Sequence, residues 1–202
     1  MRLIVLMLLG VGSTTWDFEK DEVDKPPSAF EFAVTGKVPP GKWIVRKVGE
    51  NVVLAQVDAD KTRGRFAMAV VKGSSFKDLS LSVKGRPVSG EVDQAVGLVW
   101  RYKDADNYYV ARSNVLESNV RLYRVTAGTR LQLASKDDVK LKAGEWHTLA
   151  VEHRGTDIRV LLNGEKLLEA KDGTFPEAGK VGVWTKADAV TEFDDLTAEE
   201  LK

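Results

Sequence analysis

Along this chain hydrophobic and polar residues alternate with a period of two in short runs, and a helical spacing sustained over three turns does not occur. Strands are therefore predicted over residues 43–48, 51–57, 66–71, 79–83, 92–102, 108–113, 120–126 and 130–134. Further strands are predicted over 146–152, 157–162, 165–170, 179–185 and 190–196, thirteen delimited runs toward a total of about fourteen strands. Gly49-Glu50 parts two of these runs as a hairpin turn. Asn163-Gly164 is the sharpest turn signal, because both positions of a tight hairpin must accept positive φ. Strands so spaced, without helices between them, predict an antiparallel sandwich or barrel rather than βαβ units. Pro26-Pro27 and Pro39-Pro40 cut the N-terminal stretch into short extended pieces, read here as loops of one domain. Thr197-Ala198-Glu199-Glu200 has the form of a capping box and predicts a short C-terminal helix.

Composition sharpens this picture. Leu, Ile, Val and Phe number 20, 3, 27 and 7 of 202 residues, enough for a real core, and the excess of Val over Ile with 17 Gly suits strands and turns. Lys and Arg together number 30, as do Asp and Glu, so the uniform basic field of a nucleic-acid binder is missing. The absence of Cys removes disulfides, thiolate metal sites and thiol nucleophiles. Met1-Arg2, the apolar run 3–9 and the small residues Gly10-Val11-Gly12-Ser13 have the layout of a short secretory signal, so residues 1–13 are read as a leader and 14–202 as one exported domain. Its loss takes Arg2 away and leaves one excess negative charge. The apolar run is too short to span a bilayer, which needs about 20 residues, so no membrane insertion is expected.

Several motifs then occur in a fixed order. They are Trp16-Asp17-Phe18-Glu19, Gly41-Lys42-Trp43, Gly97-Leu98-Val99-Trp100 running into Arg101 through Tyr109, Gly144-Glu145-Trp146-His147, Leu162-Asn163-Gly164, Gly179-Lys180-Val181-Gly182-Val183-Trp184 and Phe193-Asp194-Asp195-Leu196. Together they resemble bacterial exported domains of the concanavalin A-like, laminin-G-like jelly-roll superfamily, and within it the 3-keto-disaccharide hydrolase family, often labelled family 16 glycoside hydrolase. The resemblance implies an all-β fold of two antiparallel sheets, one concave and one convex, with first and last strands adjacent. Trp43, Trp100, Trp146 and Trp184 each lie in an alternating run near a glycine, as expected of interior anchors.

The chemistry follows less directly. Family 16 enzymes of this fold carry Glu-x-Asp-x-x-Glu on one strand, and no such triplet occurs here. The acidic cluster Asp17, Glu19, Asp21, Glu22 and Asp24 reads as a solvated edge. Keto-sugar cleavage by elimination stays open, because it needs only a base and an electrophile. In the meander of residues 96–125, alternate side chains share a face, so Arg101, one of Tyr108 and Tyr109, Arg112 or Ser113, and Arg121 or Tyr123 could line one outer surface. Aromatic planes and Arg or Asn donors suit sugars, so Arg101, Tyr109, Arg112, Asn114, Arg121 and Tyr123 are the candidate ligand contacts. Trp184, Lys186 and Asp188 could border the same groove. The resemblance further implies a structural calcium where first and last strands meet, with Asp17 and Asp195 as candidate ligands. His147 and His153 read as surface residues, and no Gly-x-Ser-x-Gly elbow, phosphate loop or dinucleotide fingerprint occurs.

The expected function is an exported carbohydrate-recognition domain that binds glycan on its concave sheet without catalysis. The alternative is an enzyme acting on 3-keto-glucosides, and a third is a structural domain of an envelope assembly.

Overall fold

The alternating runs become fifteen strands in the computed structural model, which describes residues 12–202. In chain order they are β1 (Ser13–Trp16), β2 (Phe30–Thr35), β3 (Trp43–Val48), β4 (Asn51–Gln56), β5 (Phe66–Val71), β6 (Leu79–Ser89), β7 (Ala95–Asp104) and β8 (Asn107–Asn114). There follow β9 (Asn119–Thr126), β10 (Thr129–Lys136), β11 (His147–Arg154), β12 (Asp157–Leu162), β13 (Glu165–Lys171), β14 (Lys180–Lys186) and β15 (Val190–Glu200). All ladders are antiparallel and form two sheets. One runs β10-β9-β8-β7-β14-β5-β2; the other runs β13-β12-β11-β6-β15-β4-β3, with β1 added along β15. This is the jelly-roll sandwich. Most of the leader expected over 1–13 lies outside the described residues, and Ser13 is already the first residue of β1.

Alternation explains the packing. Leu79, Leu81 and Val83 of β6, Leu149 and Val151 of β11 and Phe193, Leu196 and Ala198 of β15 face Val96, Leu98 and Trp100 of β7, Ala111 of β8 and Val181 and Val183 of β14 across one core. The turns follow the sequence: Gly49 closes β3–β4 at φ +65°, and Asn163 and Gly164 close β12–β13 at φ +50° and +82°. First and last strands are adjacent, from Ser13 opposite Glu199 to Trp16 opposite Leu196.

Two expectations fail for physical reasons. Residues 197–200 are strand, not helix: Leu196 and Ala198 are buried at two-residue spacing beside β1, and that burial outweighs a local capping pattern. Trp146 is no interior anchor. It precedes β11 and is 38% exposed, with the Arg86 guanidinium 5.3 Å from its ring centre.

The seven-stranded sheet curls strongly. Thr35 at the end of β2 meets the Tyr108 hydroxyl of β8 at 2.6 Å, although β5, β14 and β7 lie between them. Arg130 of β10 packs on Phe66 of β5, five strand spacings of about 4.8 Å away in a flat sheet. The outer face of this sheet is therefore the concave one.

Candidate binding face

On that concave face the register lines up side chains from five strands. One row runs Met68, Trp184, Gly97, Arg112, Arg121, and the next Val70, Gly182, Val99, Val110, Tyr123. Gly97 leaves room for the indole of Trp184, since a Cβ there would lie 2.9 Å from a ring carbon. Phe66 stacks on Trp184 with ring centres 5.5 Å apart, and the Arg130 guanidinium lies 4.3 Å from the Phe66 ring centre and 4.8 Å from that of Tyr123. Met68, Val70, Val99, Val110 and Tyr108 are buried beneath them, so this part of the concavity is filled as a second, smaller core.

The rest of the face is a charged cluster. Arg112 donates to Asn119 Oδ1 and, at 2.7 Å, to Glu117 Oε2, which also pairs with Arg121 at 3.1 Å. Lys186 Nζ donates to Asp93 Oδ2 at 2.6 Å, and Asn114 Nδ2 donates to Asp93 Oδ1 at 2.9 Å. The loop carrying Asp93 is fixed by the Asp188 carboxylate, which accepts the backbone N–H groups of Glu91, Val92 and Asp93. Burial pushes the Asp93 carboxyl up, and the Lys186 ammonium works in the opposite direction. Burial also works against ionisation of Glu117, but Arg112 more than compensates and its carboxyl is held below the usual range. Arg112 and Asn114 are buried, whereas the Arg121 side chain is 30% exposed, Lys186 16%, and Glu117 and Arg130 partly open. The Arg130 side chain forms no hydrogen bond or ion pair with the described residues; its ring contacts are what hold the guanidinium.

Four of the six candidate contacts, Arg112, Asn114, Arg121 and Tyr123, thus share one face. The other two do not join them. Tyr109 points into the sandwich, where its hydroxyl donates to Asp172 Oδ1 at 2.5 Å. Arg101 sits at φ +43° where the ladder between β7 and β8 slips, and its guanidinium donates to the carbonyls of Lys77, Phe175 and Gly155 and to Asp78 Oδ1. That makes it a brace for three connections rather than a surface donor. Trp184 and Lys186 lie on the concave face, and Asp188 supports it from the loop.

At the junction of first and last strands, Asp17 and Asp195 each have partners of their own. The Asp195 carboxylate pairs with Lys84 at 2.7 Å, Asp17 Oδ1 accepts the Glu19 N–H, and among the described residues no group of three or more acidic or histidine side chains is placed to hold a metal ion. The histidines are not on the surface. His147 Nε2 lies 2.7 Å from the Ser113 hydroxyl, and His153 Nδ1 accepts the Trp100 indole N–H at 2.9 Å, both inside the sandwich. Burial pulls both imidazoles down to about 4.

Sequence reasoning missed Phe66, Asp93, Glu117 and Arg130. Arg130 and Phe66 sit in strands that were predicted, but nothing local reports that the sheet curls until they touch. A separate cleft of about 450 Å³, lined by Trp16, Lys72, Ser74, Ser75 and Phe76, lies beside β1, away from this cluster.

Solved structures similar to this one share the fold at low identity. A carbohydrate-binding module, CBM66 from Bacillus subtilis, superposes with TM-score 0.66 at 20% identity, covering 86% of this chain and 98% of its own. A Bacillus licheniformis β-glucanase gives 0.63 at 10% identity, with 95% and 99% covered. Domain 4 of AbnA, a GH43 extracellular arabinanase from Geobacillus stearothermophilus in complex with arabinotriose, gives 0.60 at 14%, with 92% and 90% covered. No curated protein matches the chain. A family model does match, over residues 13–198, and by that match the chain belongs to the 3-keto-alpha-glucoside-1,2-lyase-like domain family.

Proposed function

We propose that this domain binds carbohydrate at the open, charged end of the concave sheet and releases it unchanged. The observation that carries the reading is Arg130, fixed against Phe66 and Tyr123 with Arg112 and Asp93 close enough to act on its charge, on the same face as the Arg121, Glu117 and Lys186 cluster, so that directional donors and an acceptor share one partly exposed concavity. Arg112, Asn114 and Asp93 act from beneath by holding Glu117 and Lys186 in place. The shared fold of a carbohydrate-binding module and of a domain solved with arabinotriose supports a sugar as ligand. The state of the carboxylates argues against turnover. Asp93 is shut away under Lys186, and Glu117 is held by two arginines that weaken it as a base. In a glycan-binding screen followed by calorimetry, Arg121→Ala is expected to weaken the bound glycan about tenfold, the worth of one charge-assisted hydrogen bond, with an unchanged unfolding midpoint. Unchanged affinity in both Arg121→Ala and Lys186→Met would remove the mouth from the binding site. The leader-like residues 1–13 support placing the domain outside the cytoplasm, which N-terminal sequencing of protein recovered from the periplasm or medium would test.

The family match favours a second reading, elimination from a 3-keto-α-glucoside. A base would take the proton next to the ketone and the aglycone would leave from the neighbouring carbon. Glu117 is the accessible carboxylate for that step. Release of aglycone that survives repurification and vanishes in Glu117→Gln would replace the binding-only reading.

A further inference from the structure

The charges at the mouth do not balance. Four cations, Arg112, Arg121, Arg130 and Lys186, face two carboxylates, Asp93 and Glu117, with Asp137 adding to the field at Arg121. Both carboxylates are already engaged, Asp93 by Lys186 and Asn114, Glu117 by Arg112 and Arg121 together. Arg130 pairs directly with neither, although Asp93 acts on its charge from a distance. Its guanidinium rests on two aromatic rings, which fix its position and take up its ring-facing sides, and neither residue accepts a hydrogen bond from its N–H groups. Burial and the nearby Arg112 work against its charge, Tyr123, Tyr108 and Asp93 offset part of that, and the guanidinium stays protonated as it does throughout proteins. Beneath it Arg112, only 2% exposed, keeps a buried Nε–H with no partner, as does Arg121. A neutral sugar hydroxyl would use one or two of these donors and leave the excess charge uncompensated. A carboxylate would use the fork of Arg130 from its free edge and cancel part of the excess.

We propose that the ligand of this face is an acidic saccharide, one whose carboxylate is received by Arg130 at the rim of the charged cluster. The proposal rests on the carbohydrate reading above and narrows it to a uronate-bearing chain. The aromatic contacts make Arg130 a preorganised donor, so little conformational freedom is lost when the anion arrives. The attraction is partly exposed to solvent and so weakens with salt, the screening length falling from about 10 Å at 0.1 M to about 3 Å at 1 M.

The test is calorimetry on the full chain with three probes: a homogalacturonan oligosaccharide, its fully methyl-esterified form, and a neutral arabinan oligosaccharide. The acid is expected to bind at least about tenfold tighter than its ester, one charge-assisted contact's worth, and to lose that margin in 1 M salt. Arg130→Met should bring the acid down to the ester's affinity, while Arg130→Lys, which keeps the charge but not the fork, should retain part of the margin. Far-ultraviolet circular dichroism and the unfolding midpoint check both variants, and the acid-against-ester comparison on the unaltered protein stands even if Arg130→Met fails to fold. Equal binding of acid and ester overturns the acidic-ligand proposal but leaves carbohydrate binding intact. So does a preference for the acid that survives in Arg130→Met, which would place the anion elsewhere. Failure of all three probes, and of every glycan in the screen described above, overturns the proposal together with the reading beneath it.

Discussion

Gly97 shows how a residue with no side chain shapes the concave face. Its neighbour across the ladder is Trp184, and a Cβ at Gly97 would lie 2.9 Å from both a ring carbon and the carbonyl oxygen of that residue. Backbone cannot retreat inside a seven-stranded sheet, so Gly97→Ala has to displace the indole and with it the stack of Phe66 and Arg130. Overpacking of this kind costs about 1–3 kcal/mol, and urea denaturation should show that loss together with weakened glycan binding. A variant as stable as the parent would mean that the indole has somewhere else to go. Arg121 and Tyr123, which the sequence reading offered as alternatives for the meander surface, are two apart and share this face, as alternation requires. What sequence could not show was which tyrosine faced which way. Tyr108 and Tyr109 are adjacent in one strand, so the pattern guarantees opposite faces and leaves the choice to tertiary packing. Arg101 was lost for a different reason, because a slip in pairing after Trp100 takes it off the alternation altogether.

At the scale of elements, β11 is the instructive strand. His147 and His153 are six residues apart and both face inward, in line with Leu149 and Val151, so the strand carries two imidazoles into the core. Each meets a polar side chain there, Ser113 for His147 and the Trp100 indole for His153, and burial keeps both neutral down to about 4. In the unfolded chain an imidazole takes up its proton near 6.5. The sign follows from linkage: between these values the unfolded chain binds more protons than the folded one, so the stability these residues confer is present in full above about pH 6.5 and falls as the pH drops toward 4. Below 4 they add no further slope. The loss should amount to a few kcal/mol on the order-of-magnitude scale of one pKa unit to 1.4 kcal/mol. Urea titrations at pH 7.0, 5.5 and 4.5 measure it, and the double variant His147→Gln, His153→Gln should flatten the slope between 6.5 and 4. An unaltered slope would mean that these imidazoles are not what titrates. The hairpin turns at Gly49-Glu50 and Asn163-Gly164 were readable because the constraint is local. The last strand was misread at its end for the complementary reason: a capping pattern is local too, but β15 is held by partners far away in sequence.

Those distant partners set the behaviour of the whole molecule. β15 lies between β6 and β4 and also carries β1, so the last of the described strands occupies the middle of one sheet. Its inward residues Phe193, Leu196 and Ala198 are fully buried in the main core. By contrast β1 is four residues long, pairs among the described residues only with β15 and places Trp16 at the margin of that core. The two ends therefore differ in what they stabilise. A chain stopped before Val190 would leave β6 and β4 unjoined, two long unpaired edges and an open core, and such edges promote aggregation. It is expected to show no cooperative unfolding transition and to bind a hydrophobic dye such as ANS. Disrupting β1 with Thr14→Pro and Trp16→Ala should instead leave a cooperative transition, lowered by a few kcal/mol for the lost edge and aromatic burial. Circular dichroism during urea unfolding distinguishes the cases. A cooperative, compact product from the chain lacking β15 would show that the sandwich closes without its central strand, and the antiparallel order described here would then not be what holds the concave face in shape.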